Sequence, residues 1–553
     1  MRFLILVSIL SFSIDIYSQE NHYKIKAFFD IDNKEINIQQ SLKFINKSNI
    51  KLSYLLLNDW ANSYSNSNSS LGRRLSEEYS LSFQRSTKNQ RGFTNIKNIY
   101  VEQNIKLNYQ RLENHIDIVK IDLPKILEIG DSVTLNIEYK IKIPQDNFTG
   151  YGINRSNDIH IRDWYFTFCM IKNDNWIIES NLDLNDLSHD VSYFNFDISY
   201  PMTHSLISDF SKKSFKINDG YKNFISNNQI RKNSNLIISK NHNFSEYQIK
   251  DKVIISDIDN FERNNDSIVN TIFRYVNDKT GNNIKLNDTN NKRINKDSIM
   301  LKILNYAEKK LGYYPFEKII ISTKNKSRRP IYGLNNIPKI ISPFEQSFLF
   351  EFNFLKEFLH TYINESVSIH NRENYWEIEG MIIYLLMDYI NIYYPDLKLI
   401  GKYSELKIIN NRNFSNYNFN EQYRLFENII SSRNINQSIA TSLDSLTRVN
   451  QKIINPYKTG LGFMMLSEYL DKKTIDSSIG EYYKKNGLKN NDPTTYKSIL
   501  EIKSNNQSNW FFNDFLNRKS FKDFSIKKIS QNKNKSDFRL GNVYNSKVPI
   551  KLS

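Results

Sequence analysis

Residues 356–380 constrain this chain more than any other stretch. They read Lys-Glu-Phe-Leu-His-Thr-Tyr-Ile-Asn-Glu-Ser-Val-Ser-Ile-His-Asn-Arg-Glu-Asn-Tyr-Trp-Glu-Ile-Glu-Gly. On a helix Lys356 and His360, four apart, share one face a turn apart, with Glu357 beside it. Eighteen residues then lead to Glu379, which opens the apolar helical run Gly380–Tyr394. Two antiparallel helices would return Glu379 to His360. A zinc hydrolase needs this layout: two ligands at i and i+4, a glutamate at i+1 as general base, and a third ligand from a second helix. One position departs from it. Lys356 stands where the first ligand belongs, and a protonated ammonium has no lone pair to give and repels a cation.

The stretch resembles the M1 family of zinc aminopeptidases, within the gluzincin metallopeptidases. That family carries His-Glu-x-x-His, eighteen residues, then Glu inside Trp-x-x-Glu-Gly. Here Glu357, His360, Trp376, Glu379 and Gly380 fall in that register. The resemblance implies zinc as cofactor, His360 and Glu379 as metal ligands, and Glu357 as general base. Tyr457, two residues before Thr459-Gly460, stands where the family has a tyrosine that stabilises the tetrahedral intermediate. A phenol can donate to a developing oxyanion without carrying charge itself. Gly333, Asn335 and Asn336 are a distorted match to Gly-x-Met-Glu-Asn, the family's peptide-orienting stretch. No carboxylate stands where the family's glutamate holds the substrate ammonium, and an amide lacks the charge for strong recognition. Leu311-Gly-Tyr-Tyr-Pro-Phe also matches a segment of M1 catalytic domains.

The rest of the chain divides around this core. At 553 residues there is room for several domains. Residues 1–18 read as a secretory signal: Arg2, an apolar run Phe3–Phe12, then Ile16-Tyr17-Ser18 before Gln19. The run is too short to span a bilayer, so a cleaved signal is expected, with the mature protein periplasmic, outer-surface or extracellular in a bacterium. No lipobox cysteine follows it. The only cysteine, Cys169, excludes an internal disulfide and reads as a small buried hydrophobe.

From His22 to about Pro201 apolar and polar residues alternate as in strands. Residues 22–31 and 35–48 read as a hairpin around Asp32-Asn33-Lys34, and 116–121, 132–143 and 192–198 as further strands. The Ser/Asn-rich stretch 62–79 reads as a mobile loop. Phe44-Ile-Asn-Lys-Ser, Asp163-Trp-Tyr-Phe and Phe194-Asn-Phe-Asp-Ile-Ser-Tyr-Pro are similar to pieces of the M1 N-terminal β domain. Helical spacing begins with Asn260–Asp278 and Asp297–Leu311, and a strand is expected after Pro315. After residue 524 the pattern returns to strands. The expected fold is α+β and multidomain: a signal peptide (1–18), an N-terminal sandwich-like β domain (19–248), a mainly helical thermolysin-like domain (249–520) and the start of a further β segment (521–553).

The net charge is +16 and the pI about 9.3. Basic residues are scattered, not grouped in a stripe, so no nucleic-acid partner is expected. No membrane span is expected after the signal peptide. Peptide or protein ligands are the partners that the resemblance implies. Three readings remain open. In the first, zinc still binds, through a replacement ligand (His370, Glu365 or Glu373) or a deprotonated Lys356, and peptides are hydrolysed. In the second, preferred here, Lys356 leaves an impaired or inactive M1-like protein that binds ligands or assembles at the cell surface, with zinc only if the site is functional. In the third, a basic exported protein binds acidic polymers. His370 itself reads as an exposed loop histidine.

Overall fold

A computed structural model of the chain describes residues 20–101, 105–184, 186–187, 189–218, 220–240, 244–257, 294–322, 342–405, 413–488, 494–517, 524–532 and 535–542. The stretch read as a signal peptide (1–18) and the helix expected over Asn260–Asp278 lie outside them. The chain is a mixed α/β, multidomain structure: a β-rich N-terminal part followed by a helical part.

Alternation builds the β-rich part. Strand Asn21–Asp30 buries every second residue, and pairs antiparallel with Glu35–Ile45 from His22 opposite Lys43 to Asp30 opposite Glu35. The Asp30 carboxylate closes the turn by accepting from the Asn33 backbone N–H at 3.0 Å. This hairpin sits in a sheet of nine described strands; Ser192–Pro201 pairs parallel to Asn21–Asp30 on one side, and Ser132–Lys142 antiparallel to Glu35–Ile45 on the other. Two smaller sheets accompany it, one carrying Leu52–Asn58 and His115–Leu127, the other Ile159–Arg162 and Asn235–Ser239. One core unites them, with Trp164, Tyr165 and Phe166 buried inside it. Cys169 is buried with Leu56 and Ile118, and its Sγ donates to Asn58 Oδ1 at 3.3 Å.

The stretch read as a mobile loop over 62–79 is instead ordered. Trp60–Tyr64 forms a helical turn, and helix α1 spans Ser70–Glu77. Ser69 caps α1 by accepting from the Gly72 N–H at 3.1 Å, and Leu71 and Leu75, one turn apart, enter the β core. Serine-rich composition concealed a cap followed by an apolar i, i+4 pair.

The helical part contains α2 (Lys296–Leu311), α3 (Gln346–Ser366), α4 (Tyr375–Tyr393), α5 (Glu421–Ser431), α6 (Asn455–Tyr469), α7 (Lys472–Lys485) and α8 (Tyr496–Lys503). Asn295 caps α2 and Gly312, at φ 107°, ends it in a conformation that favours glycine. Strand Lys318–Ile321 follows, parallel to Lys252–Ser256. Among the described residues, no helix is long and apolar enough to cross a membrane. Strands Phe524–Asn532 and Lys535–Asn542 form a two-stranded antiparallel ribbon.

Candidate functional site

Helix α3 is held by its aromatic residues. Phe350, Phe354, Phe358 and Tyr362 recur every fourth residue, with successive ring centroids 6.1, 5.7 and 5.5 Å apart. Such pairs add about 0.5–1.5 kcal/mol each beyond simple burial. The rigid, buried rod this makes carries Lys356, Glu357 and His360 into the interior, each no more than 5% exposed. The helix ends at Val367, whose extended backbone leads into a return loop; there the Ser368 N–H donates to Asn486 O at 2.7 Å.

Helix α4 then runs back, buried from Trp376 to Ile390. Its close approach to α6 depends on two glycines. A Cβ on Gly380 would lie 2.3 Å from Thr459 Cγ2, and one on Gly460 would lie 2.3 Å from Ile383 Cγ2. The packing fixes the rotation of α4 and with it Glu379. The structure places His360 Nδ1 3.6 Å from Glu379 Oε1. Burial lowers the His360 pKa to about 3, so its imidazole is neutral at physiological pH.

Lys356 lies one helical turn before His360, with its Nζ 5.4 Å from the centre of the Phe352 ring. Tyr457 is buried in the first turn of α6, edge-on to Tyr423 at 5.0 Å between ring centroids. Gly333, Asn335 and Asn336 lie outside the described residues. Each of the three residues considered as replacement ligands has a polar partner of its own. Glu365 accepts from Tyr314 Oη at 2.6 Å, and Glu373 pairs with Lys172. His370 is not the exposed loop histidine expected from sequence: it is buried, with Nε2 3.2 Å from Glu179 Oε1.

These donors do not fit zinc. A protein zinc site takes three or four nitrogen, sulfur or oxygen ligands. His360 and Glu379 supply two, and the third position holds an ammonium. Among the described residues, no group of three or more His, Cys, Asp or Glu is placed to hold a metal ion.

His360 and Glu379 face a cavity of about 120 Å³ between the helical and β-rich parts. Its helical wall includes Thr361 and Glu365; its β wall includes His160, Arg162, Asp163 and Lys232. Tyr457 does not line it. Loop 367–374, which joins α3 to α4, is clamped to the β wall. Lys232 Nζ donates to Ile369 O at 2.8 Å, and Arg372 donates to Ser180 O at 3.0 Å and to the Asp186 carboxylate at 2.5 Å. The β-wall residues went unread as site residues. Their one signal is the alternation Ile159-His160-Ile161-Arg162, polar side chains on one face of a strand buried on both.

The architecture matches solved M1 zinc metallopeptidases. One from Deinococcus radiodurans aligns with a TM-score of 0.53 over 91% of this chain and 95% of that chain, at 10% identity. A mutant M1 zinc metallopeptidase from the same organism, bound to a Tyr-Ser-Ala substrate, aligns at 0.52 with the same coverage and identity. The chain has the M1 metallopeptidase fold. No family model matches it, and no curated protein does. At this identity the likeness speaks for the fold alone.

Proposed function

We propose that this chain is an exported, M1-like ligand-binding protein in which zinc-dependent peptide hydrolysis is the ancestral reaction and is lost or impaired. The observation that carries this reading is Lys356, on the same face of α3 as His360 and buried with it. It puts an amine that is no zinc ligand while it holds its proton where a metal ligand would have to be, and leaves His360 and Glu379 as the remaining donors. Packing without a metal holds both helices: α3 by its aromatic ladder and α4 by Gly380 and Gly460. The cavity beside the lost ligand position is retained for binding. Residues 1–18 support export, and the peptide-bound relative supports small peptides or their fragments as the ligand class.

The test is elemental analysis of purified residues 19–553 after zinc loading, beside a Lys356→His variant. The expected result is zinc well below one equivalent in the native protein and near one in the variant. Stoichiometric zinc in the native protein, with peptide hydrolysis, would overturn the reading.

A further inference from the structure

None of the described side chains of the ribbon Phe524–Asn532 and Lys535–Asn542 enters a buried core. Register sorts them by face. Ile526 pairs with Leu540 and Lys528 with Phe538, so Ile526, Phe538 and Leu540 share one face; Lys527 and Arg539, directly opposite each other, share the other. The apolar face is open: Ile526 is 63% exposed, Phe538 59% and Leu540 40%. Ile529, at the register shift between Lys528 and Ser530, is as exposed as Ile526.

Lys527 and Arg539 are exposed too, and like charges directly opposite across two strands repel. Across residues 524–542 the sequence carries Lys527, Lys528, Lys533, Lys535 and Arg539 against Asp537. The Asp537 carboxylate accepts from Ser530 Oγ at 2.6 Å. A two-stranded ribbon with both faces in water is marginal at best. This one calls for a partner that takes apolar side chains on one face and supplies negative charge at the other. A second copy or another folded protein fits less well: four part-exposed side chains offer well under the ~800 Å² that each partner buries in a stable protein interface.

We propose that the ribbon is a peripheral anchor that lies flat in the interface of an anionic lipid membrane. Ile526, Phe538 and Leu540 turn to the acyl chains, and Lys527 and Arg539 stand among the lipid phosphates. An apolar face sunk ~5–10 Å to the acyl boundary leaves the opposite face of a single sheet layer at headgroup level. Two strands leave open backbone edges, which water reaches in this zone but not in the hydrocarbon core. The ribbon therefore lies on the bilayer and does not cross it. This anchor is independent of the cavity and of Lys356, so it goes beyond the reading above.

The test is co-sedimentation of the purified chain with phosphatidylcholine vesicles, with and without one-third phosphatidylglycerol. Binding is expected to the anionic vesicles only, and to weaken as salt is raised. Lys527→Gln with Arg539→Gln should weaken it by about twentyfold, since each cation beside an anionic surface is worth about fivefold. Ile526→Ser with Phe538→Ser should weaken it by about tenfold or more. These side chains are exposed, so both double variants should keep the native unfolding temperature; if one does not fold, the other arms decide. Polyglutamate, which offers charge without an apolar phase, should not compete at equal charge concentration. No binding, equal binding to both vesicles, undiminished binding in either folded double variant, competition by polyglutamate, or a dimer in light scattering that Phe538→Ser splits would each sink the proposal.

Discussion

Gly380 and Thr459 approach so closely that helices α4 and α6 meet almost backbone to side chain: a Cβ on Gly380 would stand 2.3 Å from Thr459 Cγ2. Gly380 is next in sequence to Glu379, so this contact fixes one wall of the cavity. The glycine of the Trp-x-x-Glu-Gly segment therefore has a steric role, independent of any metal.

Gly380→Ala tests this contact. In an open helix the change would stabilise by about 1 kcal/mol through backbone propensity. Here overpacking should reverse the sign and cost about 1–3 kcal/mol. Denaturant unfolding checks it, and Thr459→Ser in the same background should recover part of the loss by removing Cγ2, with Phe463 Cε2 at 2.8 Å from the new Cβ left to shift. A more stable Gly380→Ala protein would mean that α4 and α6 can separate freely.

Lys356→His should make thermal stability depend on zinc. At zinc a hundredfold above its dissociation constant, the variant should gain about 3 kcal/mol over its metal-free form. The native chain should gain nothing. Thermal unfolding with zinc and with a chelator separates the cases; equal gains would mean that the lysine is not what keeps the metal out.

Arg231 is a buried cation between the two parts of the chain. Its guanidinium lies 3.7 Å from the Phe316 ring centre, 3.8 Å from Asp209 Oδ2 and 3.9 Å from Glu365 Oε2, and the residue is 2% exposed. Burial raises the Asp209 pKa while Arg231 draws it down. Arg231→Met leaves the buried Asp209 carboxylate with its strongest counter-charge removed, and should cost about 3–5 kcal/mol. Arg231→Met should also make the protein more stable at pH 5 than at pH 8, because protonation then relieves the exposed penalty. Equal losses at both pH values would point to lost packing on Phe316 instead.

Glu377 gives a pH dependence near neutrality. Burial raises its pKa to about 7 from an ordinary 4.5, against hydrogen bonds from Tyr482 Oη and the Tyr496 N–H that pull it down. The folded state therefore holds this proton more tightly than the unfolded chain. The stability it confers is full below about pH 4.5 and is lost as the pH rises towards 7, by roughly 3 kcal/mol on a shift of this size. Glu377→Gln keeps an acceptor and a donor in place without the charge. It should flatten the stability profile between pH 5 and 8, as followed by urea unfolding at each pH.

Much of the fold was legible because its signals are local. Alternation marked Asn21–Asp30 and Glu35–Ile45, and apolar spacing marked α2 and α4. The register of residues 356–380 singled out His360 and Glu379, and its spacing is a local property too. What escaped depends on contacts far apart in sequence. Lys232 drew no reading from its polar stretch, and only Ile369 O, closing over it, marks it; His370 reads as exposed until Glu179 meets it. Helix α1 was hidden for a different reason: serine and asparagine favour loops, but one of them, Ser69, is a cap.

The clamp on loop 367–374 bears on how the protein is made. A chain emerges N-terminus first, from the ribosome or from an export channel, and its domains tend to fold as they appear. The β-rich part, with Ser180, Asp186 and Lys232, is complete before Ile369 and Arg372 are synthesised. It can therefore serve as a template on which the turn between α3 and α4 is set, and the angle between these two helices is inherited from a surface built 137 to 192 residues earlier.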